Sequence, residues 1–130
     1  MPRQRPRLVV INIWEDTALW LMARIKGNSG TNINQASVSG ISVKVFDATN
    51  NNTETYSGTL TISEVVFDDL QTADTRWTAD TTGYNFGATI PAEAFASGGS
   101  QYVVEVLFTP TSGANYVLVA QVLTDELLTS

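Results

Sequence analysis

The sequence predicts an all-β protein, folded as a single antiparallel β-sandwich of seven to nine short strands. Apolar and polar residues alternate with a period of two in Tyr84–Ile90 and again from Gln101 onward. The other apolar runs are also short, and loops rich in Gly, Asn, Asp and Ser separate them. No run keeps a long helical period. Two packed sheets are therefore favoured, with a small β-barrel as the architectural alternative.

Two strands within residues 82–109 organise the rest of the chain. Pro91 ends the first of them, because proline has no amide hydrogen to donate to a neighbouring strand. The short turn that follows leaves Phe95 free to close one end of the core. Residues 97–100, SGGS, are a strong turn signal before the second strand. The side chains that share one side of these two strands are Tyr84, Phe86, Ala88, Ile90, Tyr102, Val104, Val106 and Phe108.

The remaining elements follow in chain order around this pair. Further strands are predicted at residues 7–14, 17–26, Val38–Asp47, at least one within 53–67, a short one near 76–78, and 115–124. Residues 17–26 could be helical on propensity alone, but a strand is preferred because both neighbours are strands. The predicted organisation is an extended basic N-terminal arm at residues 1–6, one β-sandwich domain at residues 7–124, and a tail at residues 125–130.

The composition excludes several kinds of chemistry. Neither cysteine nor histidine occurs among the 130 residues. Thiolate nucleophiles, imidazole bases and metal sites built on Cys or His ligands are therefore ruled out. No catalytic motif is present either, so we predict a protein that is not an enzyme and that needs no cofactor.

Charge is distributed unevenly along the chain. The formal net charge of −6 comes from 7 basic and 13 acidic residues, and three of the basic ones are Arg3, Arg5 and Arg7. Residues 8–130 therefore carry four basic and 13 acidic residues, a net charge of −9. The arm is a candidate partner-binding segment for an acidic surface, with a solvated tail as the alternative. The acidic body argues against nucleic-acid binding.

No targeting or membrane segment is expected. The apolar run at residues 8–13 is too short for a signal peptide, and no small-residue cleavage site follows it. No stretch of about 18 apolar residues occurs, so no membrane contact is predicted.

Alternation also predicts apolar side chains on faces that should meet water. In the second organising strand, Glu105 should point outward, and Val103 and Leu107 share its side. In the strand at residues 115–124, Gln121 should point outward with Val117, Val119 and Leu123. In the strand at residues 17–26, Arg24 should point outward with Trp20 and Met22. A contiguous apolar group of this kind favours contact with a partner, while covering by loops or by the arm is the alternative. The candidate oligomer face comprises Trp20, Met22, Val103, Leu107, Val117, Val119 and Leu123.

Residues 68–80 form a predicted loop that contains several acidic residues. Carboxylates can bind Ca²⁺, but the spacing matches no EF-hand, so a solvated loop is favoured and no metal site is predicted. A pair of carboxylates for glycoside hydrolysis is not identifiable. Trp77 in this loop is a candidate ligand contact, although burial as an anchor of the loop is the favoured interpretation.

Four segments resemble the small immunoglobulin-like virion modules of tailed bacteriophages. They are WEDTALWLMARI, GISVKVFD, TRWTADTTGYNFGATIPAEAF and GGSQYVVEVLF. In those modules a strand that ends in Ile-Pro precedes a short corner, a glycine turn and a strand of the pattern Y-x-V-x-V, in which Tyr and two Val occupy alternate positions. The resemblance covers residues 14–124, and the chain departs from it in the basic arm and in the loop at residues 68–80.

The resemblance implies an immunoglobulin-like sandwich with a structural role on a virion. Decoration (cement) of the capsid surface is the favoured role, with the major capsid protein or another virion protein as partner. The apolar faces favour self-association as a dimer or trimer. A tail or fibre module is the alternative within the same class. The rival from another class is a glycan- or receptor-recognition module that uses Trp77 and the acidic loops.

Overall fold

The structure, a computed structural model, describes residues 9–27 and 30–128. Within these residues it contains eight strands and one short α-helix, which confirms the all-β class. The predicted arm at residues 1–6, with Arg3, Arg5 and Arg7, lies outside the described residues. The elements are β1 (Val9–Trp14), β2 (Leu19–Ala23), β3 (Val38–Asp47), β4 (Thr53–Thr59), α1 (Ile62–Val65), β5 (Val66–Gln71), β6 (Tyr84–Ile90), β7 (Gln101–Pro110) and β8 (Tyr116–Asp125).

The larger sheet has five strands in the order β1–β8–β7–β3–β4. β7 lies at its centre and pairs antiparallel with both β3 and β8. The predicted alternation in β7 is confirmed, because Tyr102, Val104, Val106 and Phe108 are all buried. β8 extends to Asp125, one residue beyond the strand that the sequence predicts.

β1 corrects the prediction of a purely antiparallel arrangement. It pairs parallel with β8, with Ile11 beside Val122. The two strands come from opposite ends of the chain. Local alternation fixes which side chains share a face, but it does not fix the direction of a partner strand that is distant in sequence.

The smaller sheet has three antiparallel strands in the order β2–β6–β5. Leu19 and Leu21 of β2 are buried, so the preference for a strand over a helix at this segment is confirmed. The core lies between the two sheets, where the rings of Phe86 and Phe108 meet edge to face at 5.3 Å. Such contacts between large apolar side chains contribute most of the stability of a domain of this size.

The corner between β6 and β7 closes one end of the core as predicted. A 3-10 helix at Ala92–Phe95 follows Pro91, and Phe95 is fully buried. Its ring packs edge to face on Tyr102 at 5.4 Å. The Tyr102 hydroxyl accepts a hydrogen bond from the Ser97 amide at 3.0 Å, which fixes the turn to the start of β7.

The segment between β3 and β6 differs most from the prediction. The strand centred on residues 58–62 is replaced by β4, which ends at Thr59, and by α1. β5 then begins inside the expected run and continues through Gln71, into the residues predicted as a loop. The short strand predicted near residues 76–78 is wrong, because these residues form a turn and irregular backbone. Pairing of Val66 with Phe86 and of Gln71 with Tyr84 holds β5 in place despite its polar sequence.

Candidate interaction surface

The outer face of the five-stranded sheet collects five of the seven residues predicted as an oligomer face. The register between β7 and β8 places Leu107 beside Val117, and Val103 beside Gln121. Leu107 and Val117 are exposed at 37% and 36%. The outward-facing apolar residues of β7 and β8 are Val103, Leu107, Val117, Val119 and Leu123.

Residues on β1 and β3 extend this apolar face beyond what the sequence predicted. Val10 and Trp14 on β1 are each 55% exposed, and the parallel register places Val10 beside Gln121. Phe46 on β3 lies beside Val103 and is half-buried. The alternation of residues 7–14 indicates that Val10 and Trp14 share one face of their strand. Only the pairing of β1 with β8 adds them to the same face.

Charged and polar residues interrupt the outer face. Lys44 and Glu105 are directly opposed across β3 and β7. Lys44 also forms an exposed ion pair with Glu54 on the edge strand β4, at 3.7 Å. Exposed pairs of this kind contribute little to stability. We call this surface, defined by Val10, Trp14, Phe46, Val103, Leu107, Val117, Val119 and Leu123, the outer apolar face.

Trp20 and Met22 lie elsewhere, on the outer face of the three-stranded sheet. Trp20 pairs with Thr89 and Met22 with Gly87. The Arg76 guanidinium lies 4.4 Å from the centre of the Trp20 ring, so the segment between β5 and β6 lies over this side of the molecule. The fold therefore divides the seven predicted residues between two sheets. On the outer face of the three-stranded sheet, the segment between β5 and β6 covers Trp20 within the same molecule through Arg76.

Two aspartates anchor the segment between β5 and β6. Asp74 accepts hydrogen bonds from Arg76 and from the Tyr84 hydroxyl, each at 2.7 Å. Asp80 pairs with Arg24 at 2.8 Å and accepts a bond from the indole Nε1 of Trp77 at 3.0 Å. The Arg76 guanidinium holds the pKa of Asp74 well below its usual range. Arg24, and then Trp77, lower the pKa of Asp80 to about 2.

Trp77 is half-buried and occupied by contacts within this segment. Its ring lies 5.6 Å from that of Tyr84, and its Nε1 donates to Asp80. The donor that would orient a ligand is therefore already satisfied. Whether Trp77 contacts a ligand stays a prediction.

A cleft of about 320 Å³ lies beside Trp20, between α1 and β6. Gly87 lines this cleft. A Cβ added at Gly87 would lie 2.8 Å from the Trp20 ring, so the ring packs directly on the backbone there. The Trp20 Nε1 is buried and has no hydrogen-bond partner among the described residues. Thr61, Glu64 and Thr89 add polar groups to the walls. No sequence pattern pointed to this cleft, since its parts come from four separate segments.

The described residues contain no group of three or more Asp and Glu side chains that could hold a metal ion. In the same residues, no helix is long and apolar enough to cross a membrane. Asp68, which lies within β5, accepts a hydrogen bond from the backbone amide of Gln35 at 2.8 Å.

No protein-family model matches the chain, and no curated protein is similar to it at a significant level. The proposal for its function therefore rests on the surfaces described above, together with the resemblance of its sequence motifs.

Proposed function

We propose that this chain is a non-enzymatic structural protein of a phage virion, a decoration (cement) protein on the capsid surface. It would bind the assembled shell through its body and its N-terminal arm. The outer apolar face is the observation that supports this proposal. Burial of one large apolar side chain contributes about 1.5–3 kcal/mol, so a surface with several of them favours a protein partner over water.

The finer assignment of an immunoglobulin-like sandwich belongs to the same proposal. The sheet orders β1–β8–β7–β3–β4 and β2–β6–β5 support it, because without β1 they match strands G, F, C and C′ facing strands B, E and D. The Tyr102 hydroxyl near the start of β7, which bonds back to the Ser97 amide, is similar to the tyrosine corner of such domains. The chain departs from antibody-type domains because it has no cysteine for an intersheet disulfide.

The mechanism would be stabilisation by selective binding. A protein that binds only the assembled shell shifts the equilibrium away from free subunits, by an amount that grows with its concentration relative to its dissociation constant. The arm with Arg3, Arg5 and Arg7 would add electrostatic contacts to an acidic neighbour, beyond the area covered by the body.

Copy number in purified particles tests this proposal most directly. Quantitative mass spectrometry against the major shell protein should give one copy per shell subunit, or a simple fraction of it. A handful of copies per particle would assign the protein to the tail or a fibre instead. Complete absence from the particle would refute the virion proposal.

The arm has its own test with a matched control. Deletion of residues 1–6 should weaken attachment to the shell and leave the melting temperature of the body unchanged. Replacement of Arg3, Arg5 and Arg7 by Ser keeps the length of the arm and should reproduce most of the loss if charge is the cause. Equal attachment of the truncated and full chains would refute a role for the arm.

A second candidate is a module that recognises a host glycan, and the cleft beside Trp20 favours it. A sugar hydroxyl in the cleft could donate to Glu64, while the sugar ring packs on the apolar walls beside Trp20. Titration against a panel of mono- and disaccharides, followed by Trp fluorescence, tests it. Binding that is lost in Trp20→Phe but kept in Trp77→Ala would support the cleft, and no binding by the native chain would remove this candidate.

A further inference from the structure

We propose that β1 of one molecule pairs antiparallel with β1 of a second copy, so that the two five-stranded sheets join into one continuous sheet. This inference identifies the contact for the self-association that belongs to the proposed function. It does not depend on the particle, because dimerisation is measured on the purified protein alone.

β1 is an edge strand with backbone groups available for pairing. In the described part of the chain it pairs only with β8. The Glu15 amide donates to the Asp125 carbonyl at 2.9 Å, so the backbone of odd-numbered residues points toward β8. Backbone direction alternates along a strand, and the N–H and C=O groups of Val10, Asn12 and Trp14 therefore point toward the open edge. The Thr17 hydroxyl donates to the Trp14 carbonyl on that same side at 2.6 Å, so the Val10 amide of a second copy would share this acceptor or displace Thr17.

The edge of β1 lacks the features that usually prevent strands from pairing between molecules. Its sequence, VVINIW, contains no charged residue and no proline. Exposed edges normally carry such residues because unpaired strands are templates for association. β4, at the other edge of the same sheet, has the polar sequence TETYSGT and follows this rule. On β2, one edge of the smaller sheet, the large apolar side chains are buried or half-buried.

The side-chain pattern of β1 matches itself about a twofold axis at Asn12. Antiparallel pairing with Asn12 opposite Asn12 places Val10 opposite Trp14 of the second copy. The two residues are the large apolar side chains of β1 that are 55% exposed, and aromatic and β-branched residues form favourable cross-strand pairs. The two Asn12 amides can bond to each other on the axis. The same register makes hydrogen-bonded pairs of the even-numbered residues, whose backbone groups point to the open edge.

The inner side of the strand supports this register as well. Ile11 and Ile13 point toward the core but are only half-buried, because three strands cannot cover the full width of five. The proposed register places Ile11 opposite Ile13 of the second copy. Both residues would lose contact with water as the two cores meet at this edge.

Charge and size define what kind of dimer this is. Each molecule has a net charge of −6, but β1 itself is uncharged, so the contact places no like charges opposite each other. One six-residue strand buries less than the roughly 1,200 Å² of a standard stable interface. The dimer is therefore reversible and concentration-dependent. It aligns the outer apolar faces of the two copies on one side of the joined sheet.

Disulfide trapping with single-cysteine variants tests the register. The native chain has no cysteine, so each variant reports one position. Residues opposite each other in a hydrogen-bonded antiparallel pair have Cα atoms about 5.5 Å apart, within the range of about 4.4–6.8 Å for a disulfide. Under mild oxidation, Asn12→Cys should give a linked dimer as the main product. Ser57→Cys on the polar edge and Leu107→Cys on the outer apolar face are the controls and should give only traces.

A second experiment avoids dependence on a cysteine variant. Sedimentation equilibrium of the full native chain should show a monomer–dimer equilibrium. Val10→Lys should raise the dimer dissociation constant about tenfold or more, since a charged side chain then replaces the apolar partner of Trp14 across the interface. Val10→Thr, which keeps the branched shape without charge, should have a smaller effect. Both variants should melt near the native temperature, because Val10 is 55% exposed in the monomer.

The outcomes separate this inference from the proposed function. A native chain that is monomeric at every concentration, or equal cross-linking of all three cysteine variants, overturns the pairing. A higher yield from Leu107→Cys than from Asn12→Cys overturns it too, because the two copies then meet face to face. If the chain is monomeric but still decorates particles, only the β1–β1 pairing is refuted. If it forms the dimer but is absent from particles, only the proposed function is refuted.

Discussion

At the scale of single residues, a few polar side chains determine where an irregular segment lies. The stretch between β5 and β6 has little apolar surface of its own to bury. Asp74 instead accepts a hydrogen bond from Tyr84, the first residue of β6. Asp80 accepts one from Arg24, which directly follows β2. These two bonds fix the segment to the three-stranded sheet. Charge-assisted bonds of this kind are stronger than neutral ones. The segment thereby brings Arg76 over Trp20.

Acid should release this segment before it unfolds the sandwich. The pKa of Asp80 is lowered to about 2 in the fold, below the usual value of an unfolded Asp of about 4, so its contribution to stability is nearly complete above about pH 4. The contribution is lost as the pH falls through about 2, because the unfolded chain binds protons first. We expect Trp fluorescence to change over this window before the far-UV signal is lost.

Asp80→Asn provides the control for this titration. The amide keeps an acceptor for Trp77 but loses the charge that pairs with Arg24. The variant should show a lower melting temperature at pH 7 and a smaller change between pH 4 and pH 2. A fluorescence change of the same size in the variant would show that another group titrates.

At the scale of elements, the position of β5 depends on the sharp entry into β6. Gly83 has a φ of +97°, and a Cβ there would lie 2.5 Å from the Gln71 carbonyl oxygen. Gln71 and Tyr84 form the last pair of the β5–β6 ladder. A residue without a side chain is therefore needed where the chain turns back beside the end of β5.

Gly83→Ala should destabilise the protein by about 2 kcal/mol or more. The cost of a positive φ for alanine adds to the cost of the clash between its Cβ and the Gln71 carbonyl oxygen. Gly99→Ala is the matched control. Its φ is +65°, and no atom lies within 4 Å of an added Cβ. It should cost only about 1 kcal/mol in urea unfolding, from the backbone conformation alone. Equal costs for the two variants would show that the contact with Gln71 is relieved by a small shift.

At the scale of the whole molecule, two sheets of unequal width create the surfaces that matter for function. The core is shared between the sheets, but the five-stranded sheet also presents an apolar outer face. The segment over Trp20 lies on the other sheet. One outer side of the sandwich is therefore partly covered by the chain itself, and the other side exposes apolar residues to water. We propose that the exposed side, the outer apolar face, makes the contacts in assembly.

Substitution of Leu107 and Val117 by Ser should separate assembly from folding. Both side chains are about one-third exposed, so the double variant should remain folded with a modest loss of stability, about 1 kcal/mol. Its attachment to particles should fall by an order of magnitude or more, as two apolar contacts are lost.

Thr59→Ser on β4 serves as the control in the same binding assay. Thr59 is exposed on the polar edge of the same sheet and lies outside the outer apolar face. It should attach like the native chain. Undiminished attachment of the Leu107 and Val117 double variant would refute a role for the outer apolar face.

The fold class, the buried faces of β3, β6 and β7, and the corner closed by Phe95 could all be predicted from the sequence. Those features depend on alternation and on proline and glycine, which act within a few residues. Three features depend on the tertiary structure: β1 pairs parallel with β8, β5 is a strand although Asp68 and Asp69 lie within it, and Trp20 lies on a different sheet from Leu107. Strand pairing joins residues far apart in the chain, and local periodicity carries no information about which distant strand supplies the partner.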